Sequence, residues 1–233
     1  MLCRTASAGV LGVDGYVITV EADVGLGLPC LTLIGRASGA LVEARDRVKT
    51  ALGHCGHAIP PRRQIVNLAP ADERKDSPGI DLAVACALLA CHGVVPASAL
   101  EGVMLWGELG LDGAVRPAAG TLVVADLARR SGLPTIAVAE SCADEAALIP
   151  DVSVLPVRTL PQLIAHLRGE SSIEPRAGSS PRVEEAGSDA DPELDMADVR
   201  GLVLARRALE IMAAGGHNLL LHGPPGVGKT MLA

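Results

Sequence analysis

The sequence predicts a two-layer α/β domain with a mixed sheet, followed by a linker and the beginning of a second α/β domain. Apolar and polar residues alternate along 16–24, as in a strand with one buried face. Later segments switch repeatedly between strand and helix patterns, and an Asp-Gly pair separates two short apolar runs, as in a β-hairpin. Hairpins mixed with strand-helix alternation are typical of a mixed sheet packed against helices.

The elements of the first domain follow from their periodicity. Leu41, Ala44, Val48 and Leu52 recur at helical spacing until Gly56 ends the pattern. The segment 80–91 is apolar on nearly every side, which indicates a helix inside the core. The predicted elements are, in chain order, a strand at 16–24, a helix at 41–55, a strand at 62–68, a helix at 80–91, a hairpin centred on 111–113, a helix at 121–130, a strand at 135–139, a helix at 142–149, a strand at 152–157 and a helix at 160–167.

The composition excludes several classes of protein. Apolar residues make up 49% of the 233 residues, but Tyr16 and Trp106 are the sole aromatics, so aliphatic side chains must build the core. The longest apolar run, 82–91, falls short of the roughly 20 residues that a membrane span needs. With no signal-peptide pattern, we expect a cytoplasmic protein without a membrane partner. The six cysteines never form a CxxC pair, which argues against a zinc site or a disulfide framework.

Charge and composition also predict the domain boundaries. The net charge is -7, and the stretch 169–200 supplies most of the excess, with nine acidic and three basic residues. Within it, 170–193 is rich in Ser, Gly, Pro and acids and cannot bury enough apolar surface to offset the entropy of ordering. We therefore expect a first domain at 1–168, a disordered acidic linker at 169–193 and a second segment at 194–233.

A phosphate-binding motif closes the chain. Residues 218–233 read NLLLHGPPGVGKTMLA, which is an apolar strand, the pattern GxxxxGKT and the start of a helix. The glycines allow backbone amides to point at phosphate oxygens, Lys229 supplies a cation for the β- and γ-phosphates, and the Thr230 hydroxyl suits Mg²⁺. A helix predicted at 203–214 precedes the motif, an order that begins an AAA+ ATPase module. The predicted binding residues for ATP and Mg²⁺ are Gly223, Pro224, Pro225, Gly226, Val227, Gly228, Lys229 and Thr230, with Thr230 as metal ligand.

Two parts of the chain resemble the YifB/ComM family of magnesium-chelatase-like AAA+ proteins. One part comprises GLPCLTLIG (27–35), EARDRVKTAL (43–52) and VNLAPADERKDSPGIDLAVACALLA (66–90), and the other runs from 199 to 233. The resemblance implies a first domain with the fold of ribosomal protein S5 domain 2 and Lon protease, ahead of an ATPase domain that is truncated just after the Walker A loop. It also implies that the complete protein is a homo-hexameric motor that drives DNA branch migration during natural transformation.

The sequence departs from the family pattern in three places. Leu202 stands where Gln is usual, Ile80 stands where Phe is usual, and the sequence stops where family chains continue. Hydrolysis of ATP needs acidic and positively charged groups that follow the P-loop in this fold, so we expect these 233 residues to bind ATP without turning it over.

Protease activity is not expected from the first domain. Aligned without gaps to the Lon motif, KDSPGIDLA places Gly79 at the position of the nucleophilic serine, and 121–124 (TLVV) occupies the segment that would carry the catalytic lysine. Ser77 beside Lys75 is an alternative dyad, for which a polar loop leading into a helix is the favoured interpretation. We interpret the domain as a non-catalytic accessory module for substrate engagement or ring assembly.

Three further groups of residues have a functional and a structural interpretation. His54, Cys55 and His57 are either a metal site or a helix end, and the helix end is favoured. His217 either lines the nucleotide site or is a loop residue. The third group comprises Arg45, Arg47, Lys49, Arg62 and Arg63. It is either a basic patch or a solvated helix face, and a solvated face is the usual explanation for such residues.

The preferred functional hypothesis is the ATP-binding front part of a DNA-remodelling motor. The alternatives are a chelatase-type ATPase that remodels a metal-inserting protein complex, and an inactive interaction module from a truncated gene.

Overall fold

The computed structural model describes residues 2–35, 39–71, 77–177, 196, 199–224 and 227–232, with the backbone alone at 39–42, 177, 230 and 231. Contacts divide the chain into two compact units, Met1–Pro181 and Arg182–Ala233. No helix in the described part of the chain has the length and apolar character needed to cross a membrane.

The first unit is built on a mixed sheet. The strands of the described residues are, in chain order, β1 (Leu2–Leu11), β2 (Asp14–Gly25), β3 (Cys30–Ile34), β4 (Arg63–Ala69), β5 (Val103–Trp106), β6 (Glu108–Leu109), β7 (Val115–Arg116), β8 (Thr135–Ala139), β9 (Ser153–Val157) and β10 (Arg176–Ala177). Eight of them form one sheet in the order β10-β9-β8-β5-β1-β2-β4-β3, while β6 and β7 form a separate hairpin. Parallel pairs join β1, β5, β8 and β9 and also β3 and β4, and the remaining pairs are antiparallel. The predicted mixed α/β fold is confirmed.

Helices connect the strands and supply nearly half of the core residues. In the first unit they are α1 (Gly39–His54), α2 (Asp81–Cys91), α3 (Thr121–Arg130), α4 (Ala143–Ala146) and α5 (Leu160–Leu167). Every residue of α2 is buried, which confirms the core position predicted from its uniformly apolar sequence. The predicted helix at 142–149 is shorter than expected, because α4 ends at Ala146 after a 3-10 turn at Glu140–Cys142.

Helices cover both faces of the central sheet. The Thr5 hydroxyl of β1 donates to the Ala83 carbonyl of α2 at 3.2 Å, and Thr5 lies across from Val20 of β2. Gly15 lies on the other face of β2, because side chains alternate along a strand, and a Cβ added there would lie 3.2 Å from Val123 of α3. Two helices therefore sandwich the sheet, which makes three layers and corrects the predicted two-layer arrangement.

Three strands of the sheet, β1, β3 and β10, were not predicted, and the first two have weak sequence signals. β1 consists mainly of small and polar residues (LCRTASAGVL), and β3 is only five residues long, so neither has a strong alternating pattern. Both exist because neighbouring strands pair with them along their length. Tertiary pairing has here outweighed low intrinsic preference.

The first unit continues beyond the predicted boundary at 168. Ile173 is buried, and β10 (Arg176–Ala177) adds to the edge of the sheet beside β9. The first residues of the predicted linker are thus ordered by packing, while 178–195 lie outside the described residues.

The second unit contains α6 (Val203–Gly215) and α7 (Lys229–Leu232). The strand predicted at 218–222 is not formed, and Leu220 is 89% exposed. A strand needs a neighbour for its backbone hydrogen bonds, and no strand is described in this unit to supply one.

Candidate nucleotide site

The segment that leads to the phosphate-binding motif begins at the end of α6. Gly216 adopts the left-handed conformation (φ 61°), and the His217 amide donates to the Met212 carbonyl at 3.0 Å. This is the hydrogen-bonded cap that glycine commonly provides after a helix. The His217 ring packs against Gly215, where an added Cβ would lie 2.3 Å from its Nε2 atom. His217 is therefore part of a helix end, which agrees with its interpretation as a loop residue.

The lysine of the motif folds back over the glycine loop. Lys229 donates from Nζ to the Gly223 carbonyl at 2.8 Å and to the Pro224 carbonyl at 2.7 Å. Gly228, just before it, has a φ of 86°, a conformation that a side chain would strain. The turn and the start of α7 thus bring the ammonium group to the carbonyls of Gly223 and Pro224.

Within the described part of the chain, the Lys229 ammonium group has no acidic partner. Both hydrogen bonds of Lys229 go to neutral carbonyls, and among the described residues no carboxylate forms an ion pair with it. Lysine is a strong phosphate partner because its compact charge can approach the oxygens closely. The described part of the loop therefore carries a positive charge that only neutral carbonyl groups contact.

The structure describes most of the predicted nucleotide-binding residues. It brings Gly223, Pro224 and Lys229 together through the two hydrogen bonds, with Val227 and Gly228 in the intervening turn. Pro225, Gly226 and the Thr230 side chain lie outside the described residues. The proposed metal ligand, Thr230, thus remains a prediction.

An aromatic ring fills the space beside Gly79, the residue aligned with the nucleophilic serine of Lon. Gly79 packs face-on against the buried Trp106, and an added Cβ would lie 2.7 Å from three atoms of the indole. The Gly107 amide donates to the Gly79 carbonyl at 2.8 Å and holds the backbone there. Only glycine fits this contact without a shift, so the site has no room for a serine side chain.

The alternative nucleophile has a structural task. Ser77 precedes the 3-10 turn Pro78–Ile80, and its hydroxyl accepts a hydrogen bond from the Gly79 amide at 3.3 Å. This is the geometry of a helix N-cap. Lys75 lies outside the described residues. In the segment aligned with the one that carries the catalytic lysine of Lon, the Thr121 hydroxyl is buried and donates to the Ala118 carbonyl at 3.0 Å.

A buried ion pair below this turn was not predicted. Arg47 of α1 donates to both carboxylate oxygens of Asp81 at 2.8 and 3.2 Å, and the Leu109 amide donates to the same carboxylate at 3.3 Å. Burial raises the pKa of Asp81, and the Arg47 guanidinium counteracts part of that effect. In turn, the hydrogen bond to Asp81 raises the pKa of Arg47. A carboxylate at the start of an otherwise apolar helix was the signal in the sequence that could have revealed this contact.

The remaining candidate residues do not assemble into a site. Arg45 pairs with its neighbour Asp46, and Arg47 is engaged by Asp81, so the basic patch loses two of its five cations to ion pairs. His54 Nδ1 lies 2.6 Å from the Leu111 carbonyl, at the tip of the β6-β7 hairpin. Across the described ranges, no group of three His, Cys, Asp or Glu residues is placed to hold a metal ion.

Comparison with known proteins agrees with the motifs on both units. The family model described as subunit ChlI of Mg-chelatase matches residues 20–141, and one described as magnesium chelatase, subunit ChlI, matches 195–233. YifB of Escherichia coli, an uncharacterized protein, is 43% identical over 223 residues, which are 96% of this chain and 43% of YifB. This chain belongs to the YifB/ComM family of magnesium-chelatase-like proteins.

Other members of the YifB/ComM family are similarly related. An uncharacterized protein of Mycobacterium tuberculosis is 43% identical over 232 residues, which are 100% of this chain and 45% of the relative. The competence protein ComM of Haemophilus influenzae is 36% identical over 227 residues, which are 97% of this chain and 44% of ComM. The chain spans less than half the length of these curated relatives.

Proposed function

We propose that this chain is the ATP-binding front part of a YifB/ComM-type AAA+ motor. The position of Lys229 carries the proposal. Its ammonium group is held by the carbonyls of Gly223 and Pro224, which are neutral, and it has no carboxylate partner in the described residues. A triphosphate supplies the negative charge that this cation lacks, and the family membership supports the same ligand.

Each residue of the loop has a distinct role in this proposal. The backbone amides of Gly226, Val227 and Gly228 would donate to phosphate oxygens, and Lys229 would exchange its two carbonyl partners for the β- and γ-phosphates. The Thr230 hydroxyl would hold Mg²⁺, which would neutralise phosphate charge. Because the carbonyl hydrogen bonds of Lys229 must break, nucleotide binding should change the conformation of this turn.

Nucleotide binding can be tested on the 233-residue chain itself. Lys229→Ala should weaken the affinity for a fluorescent ATP analogue by about tenfold or more, since a hydrogen bond to a charged group is worth about 1.5–3 kcal/mol. Arg207→Ala removes an exposed cation from α6 of the same unit and serves as the control. Equal affinities of the Lys229→Ala and control variants would contradict the assignment.

We further propose that the first unit is a Lon-like accessory module that cleaves no peptide bond. The contact of Gly79 with Trp106 supports this role, because it excludes a nucleophilic side chain at the compared position. The module would take part in substrate engagement or ring assembly, joined to the ATPase domain by the acidic segment that begins after the first unit.

For the whole protein we propose a homo-hexameric motor that acts on DNA. The similarity to a competence protein supports branch migration during natural transformation. With two aromatic residues in this chain, DNA contacts would involve mainly backbone phosphates, so affinity should fall steeply with salt. In the full-length protein, Lys229→Ala should abolish ATP-driven movement of a fluorescent four-way junction while sparing nucleotide-independent DNA binding.

One observation favours a second function. Both matching family models are named for the magnesium chelatase subunit ChlI, which supports a ring that remodels a protein complex. An active, ATP-hydrolysing full-length ring that moves no junction would favour this chelatase-type function over the DNA motor.

A further inference from the structure

One edge of the main sheet lacks the usual protection against pairing. β3 (Cys30–Ile34) is the last strand of the sheet, and within the described ranges no strand pairs with its outer side. Natural proteins usually protect such an edge with charged residues, proline, a bulge or a covering element. The stretch 26–35 (LGLPCLTLIG) carries no charge, and its one proline, Pro29, precedes the strand and so removes no amide from within β3. Leu28 next to the strand is 87% exposed. This edge is therefore a surface suited to a further strand.

The backbone groups free for pairing can be identified from the contacts with β4. The Cys30 amide donates to the Arg62 carbonyl at 3.3 Å, so Cys30 directs its backbone groups towards β4. Because these directions alternate along a strand, Thr32 also faces β4 while Leu31 and Leu33 direct their amides and carbonyls outward. Two pairs of outward groups thus lie symmetrically on either side of Thr32.

We propose that β3 pairs with β3 of a second copy of this chain, antiparallel and about a two-fold axis at Thr32. In this register Leu31 of each copy faces Leu33 of the other, and the two pairs exchange four backbone hydrogen bonds. The two Thr32 residues face each other as a non-hydrogen-bonded pair. The strand is self-complementary in this arrangement, as a two-fold interface requires.

Charge favours a second copy as the occupant. Arg63 lies beside Cys30 and Asn67 lies beside Ile34. In the proposed register Cys30 of one copy pairs with Ile34 of the other, so Arg63 of the first copy lies in line with Asn67 of the second. No like charges therefore face each other across the paired strands. The second copy also brings an uncharged edge, although the chain as a whole carries a charge of -7. Since a five-residue strand pair buries less than the roughly 1,200 Å² of a standard interface, we expect a weak, concentration-dependent dimer.

A disulfide trap tests the register in the full chain. Thr32→Cys should give a disulfide-linked dimer under mild oxidation, because directly opposed residues of a non-hydrogen-bonded pair have Cα atoms about 4.5 Å apart. The wild type is a matched control, since its exposed Cys30 lies on the same strand but roughly 13 Å from its own counterpart in this register, at about 3.3 Å per residue. Cross-linking of Thr32→Cys no greater than that of the wild type would overturn the proposal.

Charge complementation distinguishes a second copy from a foreign peptide. Thr32→Lys and Thr32→Glu each place like charges opposite one another and should raise the dimer dissociation constant by up to about fivefold in sedimentation experiments. Thr32 is exposed, so neither variant disturbs the core. An equimolar mixture of the two variants should restore dimerisation. Failure of the mixture to associate better than either variant alone would refute self-pairing and favour an extended peptide of another protein.

Discussion

The close contact between Gly79 and Trp106 predicts that one added methyl group will lower the stability of the first unit. Gly79→Ala adds a Cβ that would lie 2.7 Å from three atoms of the Trp106 ring. The ring is 1% exposed and cannot swing away, and the hydrogen bond from Gly107 holds the backbone of Gly79. The backbone of Gly79 is not in the left-handed region, so steric overlap alone determines the result.

The size of the effect follows from overpacking. An extra methyl group in a well-packed core costs about 1–3 kcal/mol. For a unit of this size, that loss corresponds to a fall in melting temperature of about 2–4 °C for each kcal/mol. Gly79→Ser should lose at least as much stability and should gain no peptidase activity, because the hydroxyl has neither space nor a described base beside it.

Urea unfolding followed by tryptophan emission measures this directly, since Trp106 is the single tryptophan of the chain and lies in the contact. Gly53→Ala is the matched control: nothing lies within 4 Å of its added Cβ, so the same substitution in α1 should be neutral or stabilising by up to about 1 kcal/mol. In a Trp106→Leu background, whose unfolding is followed by far-ultraviolet circular dichroism because the tryptophan is gone, Gly79→Ala should cost less free energy of unfolding, since the opposing ring is absent. Wild-type stability of Gly79→Ala would refute the packing argument.

Three further predictions concern stability and reactivity. Burial raises the pKa of Asp81, so this side chain binds a proton more readily in the folded protein than in the unfolded chain. The free energy of unfolding should therefore fall as the pH rises from 3.8, the ordinary pKa, through the raised pKa of the folded state. Urea unfolding of the wild type and of Asp81→Asn across that pH range should show this fall in the free energy of unfolding in the wild type alone. A rise in the wild type would mean that the effect of Arg47 on the pKa of Asp81 outweighs that of burial. Burial raises the pKa of Cys86 to about 12, so maleimide at neutral pH should label the exposed Cys30 long before Cys86 in the native chain, as read by mass spectrometry. A chain ending at 168 should be less stable by about 1.5–3 kcal/mol than one ending at 177, because it lacks the buried Ile173, and equal unfolding midpoints would contradict this.

Local periodicity predicted much of the fold. The alternating strand β2, the amphipathic helix α1 and the wholly apolar helix α2 are all formed near their predicted bounds. Each depends on residues a few positions apart, so the pattern is visible in the sequence. The strands β1 and β3 could not be found in this way, because long-range pairing creates them.

The candidate nucleotide site was predictable because its residues are contiguous. The pattern from Gly223 to Thr230 encodes a turn and a cation in eight positions, and the structure adds the contacts of Lys229 with two carbonyls. The strand expected before it is absent, since a strand depends on a partner that lies elsewhere in a chain.

What the sequence by itself determined is the mixed α/β class of this protein, the glycine-rich motif that ends in Lys229 and Thr230, and the resemblance to its family. The tertiary structure alone decided which distant residues meet, as Arg47 with Asp81 and Gly79 with Trp106, and that helices cover both faces of the sheet. Contacts between residues that lie far apart in the chain depend on how whole elements pack. No periodicity within a single element encodes that packing.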